Sequence, residues 1–311
     1  SSSWNRGFRT NSSTISLHAG GGAMIRTQLT LFPEETKKGQ RTKKIIIRQS
    51  SSTFLRKWNK DIGLIAKNFS TADRQYYAGM IDGDGNITVT PKYPNRLRIL
   101  LELRHDHAEP ILKLAELFDL TISKKIYLIP QGNAQPTLNI EFGGIKAKLF
   151  LFSIYPYLLE EKEKATTLLR SLDCPAEYLP EERQFSFEYL AGYTDAEGRI
   201  KFKLHHQKTR TGKISSSYHM HYELISNDNT HLQFIKKNLI ALGFDHFRKD
   251  FIDTYKYLPK NLERKHTTHM SLGGSPSQLS NFYKNLEPLM LIKHKKDNML
   301  ATMKYNDIVN R

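Results

Sequence analysis

Asp84 and Glu197 stand at matching places in two ten-residue segments of one pattern, Tyr76 to Gly85 (YYAGMIDGDG) and Tyr189 to Gly198 (YLAGYTDAEG). Each segment runs aromatic start, Ala-Gly, bulky pair, then acid, small residue, acid, Gly. The two acids are 113 residues apart, a period too long for a solenoid repeat and suited to a duplicated domain that donates one acid per copy. Two halves of similar fold would bring both carboxylates to a pseudo-twofold axis. A carboxylate at a helix C-terminus faces the partial negative charge of free carbonyls and has no local reason to be there. Two such acids side by side require a cation. Oxygen ligands suit Mg²⁺, which also binds phosphate, and metal clamps activate water and stabilise a leaving oxygen in phosphodiester hydrolysis. For either acid alone, a solvated helix end is the simpler reading. Asp82 and Asp195, two positions earlier, point elsewhere on the helix and read as structural hydrogen-bonding groups.

The elements that must position these acids repeat in order. In each half the pattern is helix, two strands, helix, two strands and closing helices. The first motif helix is expected over 73–83, with Gly85 as a left-handed stop. Alternation then predicts a strand over 87–92 and a second in which Leu97, Ile99, Leu101 and Leu103 oppose Arg96, Arg98, Glu102 and Arg104. A helix over 110–118, strands near 125–129 and 137–142, and helical stretches within 145–172 complete this half. The second half repeats the plan: a motif helix over 186–196, a strand over 199–205 with Ile200, Phe202 and Leu204 inward, and a strand over 217–226 with Met220, Tyr222 and Leu224 inward. A helix over 230–242, strands near 247–255 and 266–272, and helices within 275–305 follow. The segment 173–185, with Pro175 and Pro180, reads as a linker, which makes a tandem monomer. Ala78-Gly79 and Ala191-Gly192 are small enough to let the two motif helices approach closely.

These residues resemble the LAGLIDADG motif, and the chain is similar to single-chain LAGLIDADG homing endonucleases carrying two copies, over roughly 69–311. The resemblance implies an α+β fold of two pseudo-symmetric αββαββα domains, each with a saddle-shaped antiparallel sheet, packed through the motif helices. It implies cleavage of both DNA strands across the minor groove with short 3′ overhangs. Asp84 and Glu197, with Gly83 and Ala196 just before them, form the implied metal set for two or three divalent ions, Mg²⁺ with Mn²⁺ or Ca²⁺ as substitutes in binding. A basic residue is implied near each scissile phosphate, after a Pro-apolar pair. In the second half that is Lys293. In the first half Glu161 takes the position, with Lys162 and Lys164 just after, so the two sites are expected to differ. Asn227, and His105 or Asp106, are the candidates to order the attacking water.

The outward strand residues would form the DNA-binding saddle. Arg96, Arg98, Arg104, Arg199, Lys201, Lys203, His205, His219 and His221 supply donors suited to guanine edges or phosphates, and Asn86, Thr88, Thr90, Lys92, Asn139 and Glu141 could add contacts. Taken singly, any of them is also what a solvated sheet face carries.

Composition agrees. The net charge is +16, from 47 basic and 31 acidic residues, which points to a polyanionic partner. A hydrophobic content of 39% is that of a globular chain and argues against disorder over most of its length. The single cysteine, Cys174, excludes an intramolecular disulfide framework. No stretch approaches a membrane span, so a soluble protein is expected. Residues 1–53 hold no acid before Pro33 and carry the basic run Lys37 to Arg48. This extension reads as a poor core former, flexible or targeting. The domains are then 54–172 and 186–311. The expected partner is a long asymmetric DNA duplex bound by a monomer in a mitochondrion or chloroplast. The alternative is an RNA-binding intron maturase or organellar RNA-protein component, with intron RNA as partner.

Overall fold

The computed structural model describes residues 12–19, 23–35 and 41–48 by their backbone, and 69–90, 93–120, 122–125, 137–172, 179, 185–208, 214–247, 251–254 and 266–309. It divides into two compact units, Ser1–Leu64 and Ile65–Arg311. In the first unit β1 (Ser12–Ala19), β2 (Ala23–Glu35) and β3 (Arg41–Arg48) make an antiparallel meander. Its register sets Leu17 opposite Ile25 and Leu29 opposite Ile47. The sequence reading placed no sheet there. The alternation of β-branched and polar residues in Ser12–Ala19 and Ala23–Glu35 is the strand signal it passed over in favour of charge.

The second unit is built twice from one plan. In chain order it comprises α1 (Thr71–Asp84), β4 (Gly85–Thr90), β5 (Tyr93–Arg104), α2 (Glu109–Phe118), β6 (Ile122–Lys125), β7 (Thr137–Gly143), α3 (Gly144–Ile154) and α4 (Lys162–Ser171). The second copy runs α5 (Phe187–Glu197), β8 (Arg199–Lys208), β9 (Ile214–Ser226), α6 (Asn229–Ala241), β10 (Phe251–Thr254), β11 (His266–Leu272), α7 (Pro276–Leu286) and α8 (Lys293–Val309). The sheet orders are β4-β5-β7-β6 and β8-β9-β11-β10, both fully antiparallel. This is the expected α+β duplication. Single short turns of 3-10 helix at Tyr155–Tyr157 and Glu287–Leu289 precede α4 and α8 at matching places.

Local chemistry sets the boundaries. Ser70 and Ser186 cap α1 and α5, accepting from the backbone N–H of Asp73 at 3.1 Å and of Tyr189 at 3.0 Å, which satisfies donors the first turn leaves open. At the other end, Gly85 and Gly198 have φ of −83° and −78°, so the left-handed stop expected at Gly85 is not used. Glycine is needed there for space: a Cβ on Gly85 would lie 2.5 Å from Ile81 Cα, and one on Gly198 2.6 Å from the Thr194 carbonyl oxygen. The chain thereby passes from helix to strand with no loop, and Asp84 and Glu197 end up at the junctions.

Period-two alternation fills each core. Leu97, Ile99, Leu101 and Leu103 are buried, as are Phe69, Phe118, Phe142 and Phe150, whose rings pack on one another; in the second copy Ile200, Tyr222 and Leu224 are buried, as are Phe244 and Phe282, with Tyr222 against Phe282. Leu204, expected inward, is 47% exposed, because the β8-β9 ribbon runs out toward the end of α8. There Phe202 and Tyr218 stack, and Tyr218 meets Tyr305. The strand forecast near 125–129 is found at Ile122–Lys125, and 126–129 lie outside the described residues. So do Lys92, Cys174 and most of the linker 173–185.

The two halves meet through α1 and α5, backbone against backbone. A Cβ added to Gly79 would overlap the Tyr189 carbonyl oxygen and lie 2.6 Å from Tyr193 N. One added to Gly192 would overlap the Tyr76 carbonyl oxygen. Two hydrogen bonds cross beside this contact, from Tyr76 Oη to Asp195 Oδ2 and from Tyr189 Oη to Asp82 Oδ2, both 2.7 Å. Because the obstructing atoms are backbone, Gly192→Ala is expected to lower stability by about 3 kcal/mol. Gly144→Ala has open space but a φ of +65°, and should cost about 1 kcal/mol. Urea unfolding of the two variants checks the order.

Candidate active site

Asp84 and Glu197 emerge side by side because they are the last residues of the two helices in closest contact. A Cβ on Gly83 would overlap the Ala196 Cβ and sit 3.3 Å from Glu197 Cγ. Glu197 is half-buried and its carboxyl is pushed up to about 7, first by burial and then by the Asp84 charge, with Lys295 opposing. Asp84 is likewise raised, by burial of its carboxyl, and Lys295 offsets part of this. Two raised carboxyls side by side, one of them raised in part by the other's charge, create a demand for positive charge.

The buried acids two positions earlier act as anchors. Asp82 accepts from the backbone N–H groups of Leu159 (2.7 Å) and Glu161 (2.8 Å), and Asp195 from Leu291 (2.7 Å) and Ile292 (3.2 Å). Burial raises both carboxyls, and these hydrogen bonds oppose it. Each motif helix thus fixes the start of a late helix, α4 or α8, close to the shared acids.

What the late helices then present differs. Lys293 is exposed at the first turn of α8, and the lysine set against the acids is Lys295. It is buried, donates from Nζ to the carbonyls of Thr194 (2.8 Å) and Asp195 (2.7 Å), and feels the charges of Asp195, Asp84 and Glu197. Burial brings it down to about 8. Counting from the Pro-apolar pair put the lysine two residues early, because the helix begins at Lys293 and its third residue is the one that turns inward. In the first half Lys164 pairs with Glu161 at 2.9 Å, and the buried Lys162 has its amine over the Tyr155 ring.

An open cleft on the Lys295 side is lined by Arg104, His107, Glu197, Arg199, Lys201, Lys203 and His294. His107, at the end of β5, stacks on His294 of α8 with centroids 4.5 Å apart. Burial and the neighbouring His294 bring His107 down to about 4; burial and Lys295 lower His294. His105, the sequence candidate, is exposed, and Asp106 is engaged by Arg104 at 3.0 and 2.6 Å. His107 is therefore the member of this segment that reaches the cleft. On the opposite side a cavity of about 140 Å³ is lined by Asp82, Gly83, Glu160, Tyr193, Glu197, Ile225, Ser226 and Asn227. Asn227, the sequence candidate at the end of β9, is among these lining residues. Glu160 was missed, its signal hidden by the adjacent Glu161.

The sheet faces are equally unlike. On the first, Arg98 is ion-paired with Glu141, and Thr137 donates to Glu102 at 3.0 Å. Asn86 is exposed and Thr88 half-buried, while Asn139 is 4% exposed on β7 between β5 and β6. On the second, Lys201, Lys203 and His219 are exposed, His219 Nε2 lies 3.1 Å from His221 Nδ1, and Arg199 is 3.9 Å from Glu223. Of Thr90, Arg96 and His205 only the backbone is described.

Among the described residues no group of three or more His, Cys, Asp and Glu gathers as a metal site. Asp84 and Glu197 alone would leave most positions of a hard cation to water and phosphate oxygens, which is how Mg²⁺ is commonly held. The two adjacent raised carboxyls fit such an ion.

No family model and no curated protein matches the sequence. Among solved structures the chain is similar to the I-LtrWI LAGLIDADG homing endonuclease bound to target DNA, at 14% identity over 75% of this chain and 90% of that one, TM-score 0.46. It is similar to the LAGLIDADG meganuclease I-AabMI bound to uncleaved DNA, at 13% identity over 76% and 91%, TM-score 0.47. A third is the I-SmaMI LAGLIDADG homing endonuclease bound to cleaved DNA, at 15% identity over 73% and 86%, TM-score 0.42.

The raised Glu197 carboxyl has a pH consequence. An unfolded chain releases this proton near the ordinary value of 4.5, the folded chain only near 7. Between those values the folded state binds more proton, so this group's contribution to stability falls as pH rises. Thermal unfolding of Glu197→Gln should therefore show a less negative slope than the unaltered protein across that window. Ca²⁺, which competes with the proton, should raise the melting temperature more at the alkaline end than at the acid end.

Proposed function

We propose that this protein is a site-specific endonuclease of double-stranded DNA that hydrolyses a phosphodiester on each strand across the minor groove. The observation that carries this reading is the meeting of Asp84, Glu197 and Lys295 beside a basic cleft that continues onto the β8-β9 face. The two adjacent acids, both raised, would hold divalent metal, Mg²⁺ by the chemistry of their oxygens, with Gly83 and Ala196 flanking the site. Bound there, the metal would polarise the scissile phosphate and the attacking water. Lys295 is placed to offset charge that develops on the phosphoryl group, a role in which position matters more than basicity. The unlike sheet faces suit a long asymmetric duplex and a monomer. An organellar setting, mitochondrion or chloroplast, is part of the same proposal. A second reading, RNA binding without cleavage as in an intron maturase, is favoured by one observation: Glu160 stands beside Glu197 in a cavity lined by no lysine or arginine among the described residues.

Asp84→Asn and Glu197→Gln should each abolish cleavage in Mg²⁺ while leaving duplex affinity within about tenfold, since each removes metal-binding charge and leaves the saddle intact. Lys295→Met should slow one strand by about 10²-fold, the other far less, so nicked duplex accumulates. Separate end labels on the two strands of a selected target read this. Tight binding of structured RNA with no duplex cut would favour the second reading.

Binding should weaken steeply with salt. Replacing Lys201 and Lys203 together by Ala should reduce the slope of log affinity against log salt by about 2. Arg98→Ala should change it by much less, because Glu141 already neutralises that charge. Fluorescence anisotropy over a salt series checks the difference.

A further inference from the structure

The first sheet carries an acid on the face that the endonuclease reading turns to DNA. Ile99, Ile140 and Phe142 are buried, so alternation sets Arg98 of β5 and Glu141 of β7 on the side away from the core, and each side chain is 44% exposed. The register places Glu141 opposite Leu100 and Gly143 opposite Arg98. Across β7, therefore, no side chain faces Arg98, and its guanidinium reaches diagonally to Glu141, Nη2 against Oε2. That contact takes one nitrogen and one oxygen, and the pair keeps further N–H donors and Oε1 for another partner.

The second copy has no such pair at the matching places. Asn86 and Arg199, which follow Gly85 and Gly198, lie opposite Leu100 and Glu223. Leu100 and Glu223 in turn lie opposite Glu141 and Ser271. Two residues earlier on β5 and β9 stand Arg98 and His221. The arginine and its acid thus arose by divergence within the duplicated frame.

Neither stability nor phosphate binding accounts for the pair. An exposed ion pair adds little to stability. A neutralised arginine attracts phosphate weakly, and an acid on a DNA-facing sheet repels it. What the pair does present is a row of groups in fixed order, two donors from the guanidinium and then an acceptor from the carboxylate. In the major groove a G·C pair, taken from guanine to cytosine, shows N7 and O6 as acceptors and then N4–H₂ as donor. The two rows are complementary at all three places. A·T shows acceptor, donor, acceptor; T·A shows the same order from the other side; C·G shows donor, acceptor, acceptor. Each of these three fails at two of the three places.

We infer that Arg98 and Glu141 together read one G·C base pair in the half of the target that lies on the first sheet, Arg98 on guanine and Glu141 on cytosine N4. This rests on the endonuclease reading above and names a determinant of its target. Because the pair is set before DNA arrives and carries no net charge, it decides which sequence is bound more than how tightly duplex is held.

The test is selection of bound duplexes from a randomised library by the full chain, followed by the affinity of every single base-pair change in the selected target. The unaltered protein should require G·C at one position and lose about 10- to 100-fold for each of the other three pairs there. Arg98→Ala should abolish that requirement and leave the other positions as they were. With 7-deazaguanine at that position, which lacks the N7 acceptor, the unaltered protein should lose affinity and the Arg98→Ala variant should not. Glu141→Ala should weaken discrimination while raising affinity for unrelated duplex, since an acid leaves the DNA face. The exchange Arg98→Glu with Glu141→Arg reverses the row to acceptor, donor, donor, and should turn the preference from G·C to C·G. Both residues are exposed, so this variant should melt with the unaltered protein. A preference the exchange leaves at G·C, or no position that depends on Arg98, overturns the inference and leaves the endonuclease reading standing. A chain that enriches no duplex overturns both.

Discussion

The contact on which the rest depends is the approach of α1 and α5 at Gly79 and Gly192. Side chains at either position would drive backbone carbonyls apart, and the helix ends would separate with them. Asp84 and Glu197 would then be two unrelated acids at two helix-strand junctions. The reciprocal hydrogen bonds of Tyr76 and Tyr189 to Asp195 and Asp82 register the helices along their length. Those same aspartates hold the backbone ahead of α8 and α4. One interface therefore fixes both the acids and what surrounds them.

Duplication produced the frame, and divergence within it produced two unlike sites. On one side, Lys295 reaches under the end of α5, with Arg104 and the stacked His107 and His294 beside it. On the other, Asn227, Ser226 and the Glu160–His231 pair face Glu197. Each half carries a buried lysine near the start of its late helix, Lys162 and Lys295, and they are engaged differently: Lys295 with the carbonyls that end α5, Lys162 with its amine over the Tyr155 ring. The sheet faces diverge in the same sense, the first neutralised internally by Arg98 and Glu141, the second carrying Lys201 and Lys203 without such a match at those positions.

How much was legible in the sequence follows from where each signal resides. The paired acids, the small residues between the helices and the order of elements were readable, because they repeat and repetition separates constraint from chance. Lys295 was misassigned to Lys293 because spacing from a proline gives the start of a helix to within a turn, and inward direction changes by about 100° per residue. The burial of Asn139 was not legible either, since β7 lies between β5 and β6 in the sheet and that pairing is a tertiary fact. His107 and Glu160 were not legible for a related reason: each is engaged by a partner from the other half, His294 and His231, more than 70 residues distant. The sheet at 12–48 went unread because charge was weighed above alternation.

The central claim is that Asp84 and Glu197 jointly hold the metal that serves both strands. Anomalous diffraction from crystals of the protein on its selected duplex in Mn²⁺ tests this most directly. The account predicts anomalous density bonded to oxygens of both carboxylates and to the scissile phosphates. Density bound to only one of the two acids, or to neither while the duplex is cleaved in the same crystals, would contradict it.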